Sequence, residues 1–102
     1  DRKVEPVYRT PTIKRDCSIW VQEDLSWDEI LSEIRKMGGS LLEDCALFDL
    51  YREKEARGRK SLGFTLTFRH PEKTLDDETA NQARDKIIDH LGNKFKAEQR
   101  SK

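Results

Sequence analysis

The periodicities of this chain predict an α+β sandwich, a four-stranded antiparallel sheet with two helices on one face. Three observations carry that prediction. Apolar alternation with period two occurs in three stretches, of which "SLGFTLTFRH" is the clearest. Helical spacing of apolar residues occurs in two others, the first opened by a capping-box pair and the second by acidic residues. The strand and helix signals follow one another as β-α-β-β-α, and the closing "KAEQR" leaves room for one more strand.

The elements follow in order. Residues 1–10 carry charge, Pro6 and little periodicity, and read as an arm or linker ahead of a domain over residues 11–102. In "CSIWV", Cys17, Ile19 and Val21 alternate with Ser18 and Trp20, a short strand. Ser26 and Glu29 then form a capping-box pair, Leu25 and Ile30 stand at staple positions, and Trp27, Ile30, Leu31 and Ile34 keep helical spacing until Gly38-Gly39. A second strand spans about Leu42 to Arg52. In its "LFDLYR", alternation puts Phe48 and Leu50 on the core side, and Asp49 and Tyr51 on the other.

After the loop "EKEARGRK", Leu62, Phe64, Leu66 and Phe68 form an apolar face opposite Ser61, Gly63, Thr65, Thr67 and Arg69. Alternation this regular means a sheet covered on one side only. A second helix starts near Asp76, turns Ala80, Ala83, Ile87 and Leu91 inward, and is expected to stop at Gly92, with Phe95 folding back. The β-α-β-β-α-β order is that of a ferredoxin-like sandwich, with the first and third strands central and the second at an edge beside the third. Its open face then displays Ser18, Trp20, Asp49, Tyr51, Ser61, Gly63, Thr65 and Thr67.

Composition bounds what that face can do. At 102 residues the chain holds one modest core, and 39 % charged residues beside 34 % hydrophobic ones make it polar. Twenty basic and twenty acidic residues cancel, so a nucleic-acid partner has to be argued from local placement. No long apolar run or signal peptide occurs, and the chain reads as soluble, with no membrane role and a cytoplasmic location. Starting at Asp1, it also reads as a piece of a larger protein. Cys17 and Cys45 lack metal-site spacing and read as buried free thiols. No nucleophile–base set, phosphate-cradling glycine loop or carboxylate pair argues for catalysis. His70 and His90 have no ligand cluster around them, and Asp76, Asp77 and Glu78 are helix-start acids. A small phosphatase on this fold would need a glycine- and arginine-bearing loop after the first strand, where "VQEDLSW" is acidic instead.

Two aromatics beside hydroxyls and a glycine on a solvated sheet suggest a platform for stacked bases. A neighbouring carboxylate cannot hold phosphate but can accept from base N–H donors. Positive charge has to come from the rim: Arg52, Lys54, Arg57, Arg59 and Lys60 in the hairpin, and Arg2, Lys3, Arg9, Lys14 and Arg15 in the amino-terminal stretch. The same face, anchored by Trp20 and Tyr51, also suits docking of another domain or subunit.

The segments "RDCSIWV", "LFDLYR", "KSLGFTLTFRHPEKTLDDE" and "AEQR" resemble, in order, the signatures of the ferredoxin-fold anticodon-binding domain, which closes both the β subunit of bacterial phenylalanyl-tRNA synthetase and the single-chain organellar enzyme. The resemblance spans about residues 11 to 100. It implies a domain that binds the anticodon stem-loop of tRNA(Phe), beside the other domains of a synthetase β chain and its α subunit. Aminoacylation would then occur elsewhere, with ATP and Mg²⁺ used by the parent enzyme and no cofactor here. It implies contact and stacking roles for Asp49, Tyr51 and Ser61. Trp20 joins them from its place on the face, and Arg15, Lys60 and Arg69 are inferred to meet the RNA backbone. The chain departs from the family pattern at Cys17, at Trp20 and at Gly63, where the pattern has Ala.

Overall fold

The computed structural model describes residues 10–52 and 58–100. The arm expected over residues 1–10 thus lies almost wholly outside the described residues, as do Lys54 and Arg57 of the hairpin loop. Strand β1 (Ile13–Gln22), helix α1 (Trp27–Gly38), strands β2 (Leu42–Tyr51) and β3 (Arg59–Phe68), helix α2 (Asp77–Phe95) and strand β4 (Glu98–Gln99) follow in that order. The sheet runs β2-β3-β1-β4 and every pairing in it is antiparallel. This is the ferredoxin-like topology.

Helix α1 begins where the capping chemistry puts it. Ser26 Oγ accepts from the Glu29 amide at 3.2 Å, and Gly39 ends the helix at φ 59°, a conformation a Cβ would strain. A short 3-10 turn over Gly39–Leu41 leads into β2. Asp76 caps α2 by accepting from the Thr79 amide at 2.8 Å, and hydrogen bonding from the Thr79 side chain, then from that amide, holds its carboxyl below the usual carboxylate range.

Helix α2 does not stop at Gly92. It runs through that residue to Phe95, and the left-handed cap is Lys96, at φ 59°. The helix closes there because the amides of Lys96 and Ala97 reach back to the carbonyls of Gly92 and Leu91. Gly92 meets the returning chain instead of ending the helix, since a Cβ there would sit 3.4 Å from the Ala97 carbonyl oxygen.

The core lies between the helices and one face of β1 and β3. Ile19, Ile30, Ile34, Phe64, Leu66, Phe68, Ile87 and Leu91 are fully buried in it. Each such side chain stabilises the fold by roughly 1.5–3 kcal/mol through burial. Trp27 packs on Phe64 with ring centroids 5.6 Å apart. Cys17 and Cys45 are buried free thiols, which burial pushes up to about 11 and about 12.

Strict alternation fails in β2. The register passes from Leu47↔Phe64 directly to Asp49↔Gly63, so Phe48 is an extra residue bulged out of the ladder. The bulge moves Phe48 from the core side to the open face, where its ring lies over Gly63 and is 57 % exposed. The expected core role of Phe48 is therefore corrected. Leu50 keeps the core side opposite Leu62, but the helices do not cover this edge and it is 43 % exposed.

Candidate nucleic-acid interface

Register alone assembles the open face. In antiparallel strands, paired residues share a side. Trp20 pairs with Ser61 and Ser61 with Tyr51, which makes one row across three strands. Ser18, Gly63 and Asp49 make the next row, and Asp16, Thr65 and Ala46 the third. Asp49, Tyr51, Ser61 and Trp20 are thus brought together on the side away from the helices. Tyr51 is 39 % exposed, whereas Ser61 is 1 % exposed.

Ser61 is covered by a residue from the end of the chain. The Arg100 amide donates to the Ser18 carbonyl at 2.8 Å, extending the β4 edge beside β1. From there the Arg100 guanidinium reaches across the row. It lies 5.6 Å from the Trp20 ring centroid and 4.7 Å from that of Tyr51, and donates to Ser61 Oγ at 3.1 Å. Arg59 approaches Trp20 as well, at 5.1 Å, while pairing with Glu98 at 2.9 Å. One guanidinium bonded to the Ser61 hydroxyl, a second over Trp20 and two aromatic rings therefore meet along one row. Such a cluster offers stacking surface, fixed cationic charge and N–H donors that its own contacts leave unused.

The basic residues expected to face RNA stand elsewhere. Arg15 pairs with Leu66 and so points toward the helices, where it donates to Asn81 Oδ1 at 2.8 Å and to Asp77 Oδ1 at 3.0 Å. It pins the first turn of α2 to the sheet. Lys60 pairs with Val21 on the helix side and is 8 % exposed. Near it, Arg52 grips Glu23 through Nε and Nη2, and that bond holds the Glu23 carboxyl below its usual range. Arg69 lies past the far end of β3. It is engaged by Glu43 at 2.6 Å and by the Thr10 carbonyl. None of Arg15, Lys60 and Arg69 joins the Tyr51 row.

Sequence reasoning missed Arg100 and the open-face position of Phe48, and it counted Arg59 only as a loop charge. The "AEQR" ending was a usable signal for Arg100. A glycine in the middle of the clearest strand was the signal for a neighbour that needs the space. Among the described residues, no group of His, Cys, Asp and Glu is arranged to hold a metal ion. None of the described helices is long and apolar enough to cross a membrane.

These features define a class: a ferredoxin-like module with one sheet face sealed by helices and the other bearing an aromatic, arginine-laced surface. The chain belongs to the ferredoxin-fold anticodon binding domain family, whose model matches residues 9–100. It is 38 % identical over 100 residues to the phenylalanine–tRNA ligase beta subunit of Clostridium acetobutylicum, covering 97 % of this chain and 13 % of that protein. The subunit of the same name from Clostridium tetani is 35 % identical over 98 % of this chain, again 13 % of the relative. That of Shouchella clausii is 42 % identical over 78 % of the chain and 10 % of the relative. The chain therefore spans about an eighth of the length of the curated relatives it matches.

Proposed function

We propose that this chain is the anticodon-recognition domain of a phenylalanine–tRNA ligase β chain, and that its open sheet face binds the anticodon stem-loop of tRNA(Phe). The observation that carries this reading is the Trp20–Ser61–Tyr51 row with Arg100 laid across it. Unstacked loop bases pack on aromatic and guanidinium planes, each stacked base contributing roughly 1–3 kcal/mol. Asp49 adds acceptors for base N–H groups, and Arg59 and Arg100 are the cations beside the bases. The reading asks for no cofactor of this domain. ATP and Mg²⁺ serve the parent enzyme, which works in the cytoplasm with its α subunit.

The test is binding of a synthetic tRNA(Phe) anticodon stem-loop as a function of salt. Affinity should fall steeply with salt and weaken with Tyr51→Ala and with Asp49→Ala. Binding that ignores both substitutions sinks the proposed surface. Salt-independent capture of a protein partner through Trp20 and Tyr51 would instead make the face an interdomain contact.

A further inference from the structure

We infer that Phe48, Gly63 and Asp49 form a separate subsite for a single unstacked base, one row along from the Tyr51 cluster. The inference rests on the reading above and assigns it a second contact point.

The two rows differ in what is already satisfied. Tyr51 has a guanidinium on its ring, Trp20 has two nearby, and Ser61 is hydrogen-bonded and covered. Any base approaching them meets Arg100 first. In the neighbouring row, Phe48 has no other aromatic ring and no cation against it among the described residues, and Asp49 makes no hydrogen bond or ion pair there. Phe48 is also the most exposed large hydrophobic residue among the described residues. The open aromatic surface and the open acceptor are thus adjacent in sequence and in space.

Gly63 makes that placement possible. A Cβ at Gly63 would lie 2.9 Å from Phe48 Cε1, 3.0 Å from Cζ and 3.3 Å from the Asp49 Cβ. Those distances are below van der Waals contact, so any larger residue would lift the ring off the sheet. The β2 bulge turns Phe48 to this side, and the glycine lets it lie low. An apolar wall beside an acceptor-only carboxylate fits a base presenting an amino or imino N–H edge, and rejects one presenting acceptors alone.

The experiment is an abasic scan of the tRNA(Phe) anticodon stem-loop against the natural chain carrying this domain and its variants. Phe48→Ala should weaken binding by roughly 5- to 150-fold, the range for one stacked base. It should also abolish the cost of the abasic change at one loop position only. Phe48→Tyr should restore both. Gly63→Ala should weaken binding in the natural background and add nothing once Phe48 is alanine. If Phe48→Ala changes affinity less than twofold while Tyr51→Ala weakens it, the subsite is wrong and the anticodon reading stands. A loss spread evenly over all loop positions also overturns the subsite. If neither substitution matters, both readings fall.

Discussion

The Arg100–Tyr51 contact permits a quantitative test that needs no RNA. Replacing Arg100 with Ala removes two cation–π contacts, at 4.7 and 5.6 Å, and the donor to Ser61 Oγ, while its backbone bond to Ser18 remains. Partly exposed cation–π pairs contribute roughly 0.5–1 kcal/mol each. A hydrogen bond whose loss reopens the acceptor to water adds about 0.5 kcal/mol more, at the low end for such bonds. Arg100→Ala should therefore cost about 1.5–2.5 kcal/mol, and each kcal/mol shifts the melting temperature of a domain this size by roughly 4–8 °C. Urea unfolding of the chain, Arg100→Ala, Tyr51→Leu and the double variant gives the pairwise coupling directly. It should be about 0.5–1 kcal/mol. Additivity within about 0.3 kcal/mol would refute the claim that the guanidinium is held by Tyr51. On RNA, the same Arg100→Ala change should lower the slope of log affinity against log salt by about 0.7, the value for one charge on a single strand.

Three further outcomes follow from the placement of particular groups. Arg15→Ala, which cuts the tie from β1 to Asn81 and Asp77, should lower stability by about 1 kcal/mol yet leave stem-loop affinity within about twofold, measured by urea unfolding and RNA titration. Cys17 and Cys45, pushed up to about 11 and about 12, should resist alkylation at pH 8 in the folded chain and react readily in denaturant, as thiol counting by mass will read. Glu33 accepts from His90 at 2.8 Å across the α1–α2 seam and from Lys36, in its own helix, at 3.4 Å, bonds that hold its carboxyl below the ordinary 4.5. Its contribution is present above pH 4.5 and is lost as pH falls through the lowered folded-state value, because the unfolded chain takes up the proton first. Unfolding curves in that acid range should therefore be flatter with pH for Glu33→Gln than for the natural chain.

Much of the architecture was legible because local rules decided it. Ser26 and Asp76 marked both helix starts, since only side-chain acceptors at those positions satisfy the first free amides. The alternation in β3 assigned Leu62, Phe64, Leu66 and Phe68 to the core and their neighbours to the open face. The sequence by itself thus determined the shared face of Asp49, Tyr51, Ser61 and Trp20 through alternation, and the strand order through the β-α-β-β-α-β succession of elements. Tertiary structure decided the rest. The β2 bulge lies in the pairing with β3, where Leu47 and Asp49 face the consecutive residues Phe64 and Gly63, so Phe48 changed faces against its own pattern. Helix α2 ran past Gly92 because the cap formed against the returning chain at Ala97, a contact no helical window contains. Arg15 and Lys60 turned toward the helices by strand parity, although their charge alone suggested the RNA side. Arg100, 39 residues from Ser61 in sequence, came to rest on it through pairing of β4 with β1. Contacts between residues distant in sequence carry no local periodicity. Only the folded sheet could put that arginine between Trp20 and Tyr51.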